Sequence, residues 1–141
     1  MKLAIVEIEF IDPERILRNE EHSAAHAEEL ANAMKYSDLW RVPILLEKES
    51  LAVMDGHHRL AAARSLGLIR VPVLRLDYQH VEVVATREGF TVTPDEIVMR
   101  ARQGNLYPEK TTRHMFSSPI PNCNISLVLC RGRVPGMPEI R

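Results

Sequence analysis

The run from Val53 to Arg59 limits what this chain can fold into more than any other feature of its sequence. Its first residues are apolar and predict a buried strand. A single glycine, Gly56, follows, and the residues after it are mostly helix formers up to Gly67, where a helix would end. The pattern therefore predicts a buried strand that passes through one glycine into the start of a helix.

The remaining elements predict a small mixed α/β (α+β) sheet packed with helices. Apolar alternation marks the strands, and the helix that follows Thr93 has an N-cap, a proline in its first turn and a glycine, Gly104, at its end. Residues 43–54 are expected to form a hairpin or a strand-loop-strand, and Pro72 marks an edge strand or the beginning of a strand. The predicted strands are 3–10, 43–47, 51–54, 71–76, 81–85 and 125–129, and the predicted helices are 23–36, 57–66 and 94–103.

Size and composition fit one compact domain. The chain has 141 residues, of which 45% are apolar, and it carries 18 basic and 19 acidic side chains. A chain of this size buries roughly 70% of its unfolded surface, so its core needs neither disulfides nor a structural metal. Membrane-spanning structures are excluded, because no apolar run approaches the roughly 20 residues that cross a bilayer. Since Met1 leads into a strand-like segment and not into a secretion signal, we expect a cytoplasmic protein.

Charge is distributed unevenly along the chain. Residues 1–80 have a net charge of −3 and residues 100–141 a net charge of +5, which would tolerate an anion near the end of the chain. Overall neutrality argues against a nucleic-acid partner. The two cysteines, Cys123 and Cys130, are interpreted as reduced thiols, with a hairpin disulfide as the alternative, and no cysteine cluster indicates zinc.

The predicted helix start at Gly56 is a candidate anion site. The first N–H groups of a helix lack internal partners and lie at the positive end of the helix dipole, and a glycine lets an anion come close. Arg59 can add a bidentate contact, and His57 and His58 can donate hydrogen bonds. Asp55 either caps the helix or helps to hold a Mg²⁺ ion that a nucleotide carries. The alternative is a structural role, with Asp55 as a cap and both histidines in solvent.

Two other polar runs are candidates for the rest of a site. In an extended stretch, Lys110, Thr112 and His114 point to one side and can hold a carboxylate or a phosphate, although an ordinary polar loop explains the same residues equally well. Glu20 and Glu21 lie before the first long helix. Such carboxylates are usually solvated, but beside a bound phosphate one of them can take the proton of an attacking hydroxyl.

The order of these elements, with Glu-Glu-Leu-Ala at 28–31 and Asp-Gly-His-His-Arg at 55–59, resembles the ParB/sulfiredoxin superfamily over residues 3–85. Within it, the motif at 55–59 resembles the free L-serine kinases, including those of siderophore pathways, and residues 110–114 resemble their second motif. The resemblance implies a ParB/sulfiredoxin-like nucleotide-binding catalytic domain over residues 1–116, followed by a Pro-rich extension, 117–141. Sulfiredoxin activity is not expected, because Gly56 is followed by a histidine and not by the cysteine that the reductase needs.

The resemblance also implies an activity, the transfer of a phosphoryl group from ADP or ATP to L-serine with the help of Mg²⁺. Glu20 would act as the base, with Glu21 as its competitor, and Asp55 would hold the metal through the nucleotide. The implied catalytic residues are Glu20, Glu21, Asp55 and His57; the implied phosphate ligands are Gly56, His57, His58 and Arg59; and the implied substrate ligands are Lys110, Thr111, Thr112 and His114.

Two other functions fit the same residues. One is a ParB-like nucleotide-binding switch or DNA-associated regulator without kinase turnover, and the other is a non-catalytic regulator that binds a small ligand. Trp40 and Phe90 are interpreted as core residues, with a place in the pocket as the alternative. The exposed edges of so small a sheet are compatible with a homodimer.

Overall fold

A computed structural model describes residues 7–132 of the chain, which fold into eight strands and three helices. The strands are β1 (Glu9–Ile11), β2 (Leu39–Trp40), β3 (Ile44–Glu47), β4 (Val53–Asp55), β5 (Val71–Leu76), β6 (Val81–Ala85), β7 (Thr112–Phe116) and β8 (Ile125–Ser126). The helices are α1 (Ala24–Ser37), α2 (His57–Ser65) and α3 (Pro94–Gln103). The predicted mixed α/β architecture is confirmed.

The main sheet has the strand order β1-β5-β3-β4. Strands β3 and β5 are parallel, and the other neighbours are antiparallel, so the predicted hairpin of β3 and β4 is confirmed. Two further pairs, β2 with β8 and β6 with β7, are each antiparallel. Pro72 is the second residue of β5, which is an inner strand and not an edge strand, and it faces Phe10 of β1 one residue before β5 starts to pair with β3.

The helix boundaries follow the capping signals in the sequence. The Ser23 hydroxyl accepts a hydrogen bond from the His26 N–H at the start of α1, and the Thr93 hydroxyl does the same for Glu96 at the start of α3. Helix α3 ends at Gly104, whose positive φ of 70° suits a glycine. All three predicted helices are confirmed to within about one residue at each end.

Both faces of the main sheet are covered. Because side chains alternate along a strand, Ile44 and Leu46 of β3 face the large core beneath α1 and α2, while Leu45 faces a smaller core beside β6. Trp40 lies fully buried in the large core, and Phe90 packs against Tyr107 in a third cluster, so both aromatic residues have structural roles. Val53 and Met54 of β4 are buried in this arrangement, and Asp55 at the end of the strand is partly exposed.

Two predicted strands differ from the observed ones. Of the predicted strand 3–10, only Glu9 and Phe10 lie in β1, which continues to Ile11, while residues 3–6 lie outside the described part of the chain. The predicted strand 125–129 is wrong after Ser126, whose hydroxyl caps a short 3₁₀ helix, Leu127–Cys130. That turn places Leu127 and Cys130 in the large core.

The first part of the Pro-rich extension packs on the domain. Strand β8 pairs with β2, and the Cys123 N–H donates to the Arg41 carbonyl. Cys123 and Cys130 are free thiols, as the favoured interpretation of the sequence predicted. Among residues 7–132, no helix combines the length and the apolarity needed to cross a bilayer.

Candidate active site

A cleft with a volume of about 670 Å³ brings together the three polar runs that the sequence singled out. It is lined by residues from 20–30, from 54–59 and from 109–120. These segments are far apart in the chain and meet only because α1 and α2 lie side by side while β7 returns beside the end of β4. Segments predicted separately therefore form one site.

The glycine turn, which we define as residues 54–59, forms one wall of the cleft. Gly56 has φ +121°, and a Cβ atom there would lie 3.1 Å from Nη2 of Arg59 and 3.2 Å from side-chain carbons of Ile44. Glycine is thus required both by the backbone and by the space. Helix α2 begins at the next residue with no side-chain cap, so its first N–H groups can receive an anion. Of the two roles predicted for Asp55, the helix cap is wrong.

Asp55 instead lies opposite Arg59, with 3.4 Å between Oδ2 and Nη2. The same Nη2 donates to the Pro43 carbonyl at 3.3 Å, while the buried Nε of Arg59 has no hydrogen-bond partner among the described residues. The guanidinium is therefore held against the turn and adds positive charge beneath it. Half of the Asp55 side chain is exposed to the cleft.

Among the described residues, the side chains around Asp55 do not form a complete metal site of their own. Within residues 7–132, no group of three histidine, cysteine, aspartate or glutamate side chains is arranged to hold one. Mg²⁺ usually keeps several waters and is bound by one or two carboxylates together with substrate phosphates. The half-exposed carboxylate of Asp55, beside the candidate anion site, fits a metal of that kind.

The two histidines of the motif hold the loop that carries Glu20. Nε2 of His57 accepts the Asn19 N–H at 3.3 Å, and Nε2 of His58 accepts the Ser23 N–H at 3.1 Å. A ring nitrogen that accepts cannot carry a proton, so in each neutral ring the proton is on Nδ1. Burial, assisted by the Arg18 charge, lowers the pKa of His57 to about 3. Burial and His26 lower the pKa of His58. The structural alternative placed both histidines in solvent. It is wrong, because each histidine has a hydrogen-bond partner in the protein.

Glu20 is oriented by three hydrogen-bond donors. Its Oε1 accepts from the Thr111 N–H at 3.2 Å, the Thr112 N–H at 2.9 Å and the Thr112 hydroxyl at 2.9 Å. No described residue donates to Oε2, and the side chain lines the cleft. Glu21 is exposed, although it lines the cleft as well. One oxygen of Glu20 is therefore fixed while the other is available for chemistry.

The returning segment, which we define as residues 107–114, is joined to the Glu20 loop along its backbone. Tyr107 receives the Glu21 N–H at its carbonyl and donates its own N–H to the Asn19 carbonyl, both at 2.8 Å. Lys110 has φ +58°, so the segment is not extended until Thr112, and the predicted alternation applies only to Thr112 and His114. Lys110 still lines the cleft.

Thr111 is predicted as a substrate ligand, but it is not among the residues that line the cleft. Its side chain is fully buried, and its hydroxyl donates to the Pro108 carbonyl at 2.7 Å. Only its backbone N–H serves the site, through Glu20. The Thr112 hydroxyl likewise has a protein partner in Glu20. Both threonines thus orient the glutamate.

His114 lies in the cleft wall on β7. Burial lowers its pKa to about 4, against an opposing effect of Asp55. Its Nε2 lies 2.8 Å from the Tyr78 hydroxyl, and its ring stacks on Phe116.

Sequence reasoning missed several residues of the site. His26 packs edge-to-face on His58 at the cleft, although its place between alanines suggested only an amphipathic helix. Arg113 belongs to the second motif but was not selected, and Tyr78 lies outside every motif. Only Arg113 had a local signal, its position between two selected residues.

Solved structures share this fold. A free serine kinase in complex with AMP covers 89% of this chain and 94% of its own, with a TM-score of 0.79 and 17% sequence identity. The fold is that of the free serine kinases. SbnI from Staphylococcus aureus, with a C-terminal truncation, covers 89% of each chain with a TM-score of 0.78 and 14% identity.

Two sequence relatives match part of this chain. A ParB-like protein of Sulfolobus acidocaldarius is 27% identical over 92 residues, which are 65% of this chain and 46% of the relative. An ATP-dependent L-serine kinase of Staphylothermus marinus is 31% identical over 77 residues, which are 52% of this chain and 31% of the relative. The chain therefore spans less than half the length of either relative. No family model matches it. The resemblance noted from the sequence is confirmed on both sides, ParB-like and serine kinase.

Proposed function

We propose that this protein is a free L-serine kinase that transfers a phosphoryl group from ATP or ADP to serine and produces O-phospho-L-serine. The observation that carries the proposal is Glu20, whose Oε1 is held by three donors and whose side chain lines a cleft that also contains the uncapped start of α2. A carboxylate base and an anion site in one cleft are what transfer to a hydroxyl requires. The serine kinases among the relatives and structural neighbours support the choice of reaction.

The glycine turn would bind the donor phosphates. The N–H groups at the start of α2 and the Arg59 charge beneath them stabilise negative charge, and Gly56 permits close approach. Neutral His57 and His58 act here chiefly by holding the Glu20 loop, with Nδ1–H left as their donor. Asp55 would hold Mg²⁺, which neutralises charge on the phosphate oxygens when it is bound.

The acceptor would lie between Glu20 and the returning segment. The free oxygen of Glu20 takes the proton of the serine hydroxyl as the hydroxyl oxygen bonds to the terminal phosphorus, and the bond from that phosphorus to the bridging oxygen breaks. ADP leaves when ATP is the donor, and AMP leaves when ADP is the donor. Free serine kinases solved with AMP and with ADP support either donor. Lys110 and His114 would hold the carboxylate of serine or the phosphate of the product.

A second function is favoured by the similarity to the ParB-like protein. A ParB-like switch would bind nucleotide in the same turn without serine-dependent turnover. The two functions differ in one measurable respect, because only the kinase forms a new phosphate ester.

Phosphorus NMR of the purified protein with Mg²⁺ and L-serine, run once with ATP and once with ADP, tests the proposal. The expected result is an O-phosphoserine resonance with at least one donor, which disappears in Glu20→Gln and Arg59→Ala. Binding of nucleotide without this resonance would favour the switch. Absence of both would remove the proposed function.

The proposal also includes the cellular setting. We place the protein in the cytoplasm, where its two free thiols stay reduced and nucleotide donors are available. A homodimer through an edge strand of the main sheet remains a prediction, which sedimentation of the purified chain would test.

A further inference from the structure

Tyr78 makes a contact that none of the sequence motifs contains. It lies in the short 3₁₀ turn, Tyr78–His80, that joins β5 to β6. Its hydroxyl lies 2.8 Å from Nε2 of His114, a hydrogen-bonding distance. The centroids of the Tyr78 and His114 rings lie 5.7 Å apart, and the Phe116 ring stacks on His114 with 6.3 Å between centroids and 12° between the ring planes. Tyr78 and Phe116 therefore restrict the orientation of the His114 ring.

The direction of this hydrogen bond follows from the chemistry of the two groups. A largely buried phenol needs an acceptor for its proton, and among the described residues Nε2 of His114 lies within hydrogen-bonding distance of it. Burial raises the pKa of Tyr78, so the hydroxyl keeps its proton. Burial lowers the pKa of His114 to about 4, so the ring is neutral near pH 7 and has one N–H.

We propose that Tyr78 is a positioning residue that makes Nε2 of His114 an acceptor, so that His114 presents Nδ1–H to the ligand in the cleft. The neutral ring then recognises an oxygen acceptor, such as a carboxylate or a phosphate, by a directed hydrogen bond and not by charge. It does not bind the ammonium group of an amino acid, because two donors would face each other. The identity of the ligand as serine or phosphoserine rests on the proposed function, whereas the state of the ring does not.

The chain offers matched controls for removal of the Tyr78 hydroxyl. Tyr36 is 95% exposed, so Tyr36→Phe removes a hydroxyl without changing the cleft. Tyr107 is fully buried, and its hydroxyl donates to the Thr91 carbonyl at 2.6 Å. Tyr107→Phe therefore reproduces the loss of a buried phenol hydrogen bond without touching His114.

Long-range proton–nitrogen NMR of the full chain with ¹⁵N-labelled histidine tests the ring state directly, without ligand. The His114 signals, assigned by their loss in His114→Asn, are expected to show the proton on Nδ1. In Tyr78→Phe they should shift toward a mixture of both tautomers, while Tyr36→Phe and Tyr107→Phe leave them unchanged. A proton on Nε2 in the parent protein, or an unchanged pattern in Tyr78→Phe, would overturn the proposal.

Ligand measurements extend the test. Tyr78→Phe is expected to raise the KM for L-serine about 5-fold while kcat stays within about 2-fold, since one neutral hydrogen bond is weakened. His114→Asn should keep more affinity for O-phosphoserine than His114→Gln, because the asparagine amide nitrogen lies near the place of Nδ1 and the glutamine nitrogen near that of Nε2. The opposite order would contradict the proposal.

Failure of the kinase proposal is distinguishable from failure of this one. If the parent protein forms no O-phosphoserine, the proposed function falls, but the tautomer in the free protein still decides the role of Tyr78. Calorimetry with inorganic phosphate then replaces the substrate measurement. A weaker affinity for phosphate in Tyr78→Phe than in Tyr36→Phe would support the positioning role, and equal affinities would count against it.

Discussion

The glycine turn (residues 54–59) and the returning segment (residues 107–114) face each other across one cleft but are built in different ways. The glycine turn is made by neighbours in sequence, a buried strand, a glycine and a helix. The returning segment takes its shape from Glu20, which is 91 and 92 residues away from the two N–H groups that it accepts. Local sequence therefore specifies the candidate anion site, whereas long-range pairing orients Glu20, the proposed base.

The largest expected effect comes from replacing Glu20, the residue that pairs with the returning segment. Glu20→Gln keeps an oxygen for the three donors but removes the base, so turnover should fall by roughly 10²–10⁴ while the nucleotide Kd changes less than about 2-fold. Initial rates of O-phosphoserine formation and calorimetry measure the two quantities. Glu29→Gln, on the exposed side of α1, is the control. A larger loss in Glu21→Gln would transfer the role to its neighbour.

The next effect concerns the glycine turn. Gly56→Ala introduces a Cβ at 3.1 Å from Arg59 and 3.2 Å from Ile44 and also strains a backbone at φ +121°. Gly89→Ala, at φ +85° with nothing within 4 Å, has the backbone cost alone. We expect Gly89→Ala to lower the free energy of unfolding by about 1 kcal/mol and Gly56→Ala by roughly 1–3 kcal/mol more, with weaker nucleotide binding. Equal losses in urea titrations would show that the close contacts are unimportant.

Both sides of the cleft contain a partly buried histidine whose pKa is lowered, and acid should weaken both sides. His57 has a pKa of about 3 in the folded protein against 6.5 in the unfolded chain, mainly through burial. Its neutral form contributes full stability above pH 6.5, and that contribution falls as pH drops toward 3, by at most about 1.4 kcal/mol per pH unit. His114 acts in the same direction down to pH of about 4.

Urea unfolding at a series of pH values measures this dependence. His57→Gln, which keeps an acceptor for the Asn19 N–H, should flatten the slope between pH 6.5 and 4. His80→Gln, at an exposed position, should leave the slope as it is. Identical slopes in all three proteins would contradict the neutral, buried state of His57.

The smallest expected effect comes from removing the Thr112 hydroxyl while keeping the Thr112 backbone N–H. Thr112→Val removes one of the three donors to Glu20 and retains both N–H donors. We expect turnover to fall about 5-fold with little change in the nucleotide Kd. Thr91→Val, at an exposed position, is the control. A loss as large as that of Glu20→Gln would mean that the hydroxyl alone orients the base.

The same contrast explains what the sequence could predict. Capping residues, Gly56 and apolar alternation are local signals, and they predicted the helices, the hairpin and the turn. The left-handed backbone at Lys110 and the burial of Thr111 arise from contacts with the Glu20 loop, and no local pattern indicates them. The acceptor role of the two adjacent histidines was missed for the same reason, since their partners lie 35 and 38 residues away.

The short turn Leu127–Cys130 has a consequence for the integrity of the whole fold. Leu127 and Cys130 fill the large core together with Trp40, and the Cys130 carbonyl accepts the Ile69 N–H just after α2. A chain shortened to Phe116 would lose two side chains from the core that packs against α2, the helix that begins at the candidate anion site. We therefore expect residues 117–132 to unfold in the same cooperative transition as the glycine turn. Proteolytic removal of these residues would then destabilise the cleft as well.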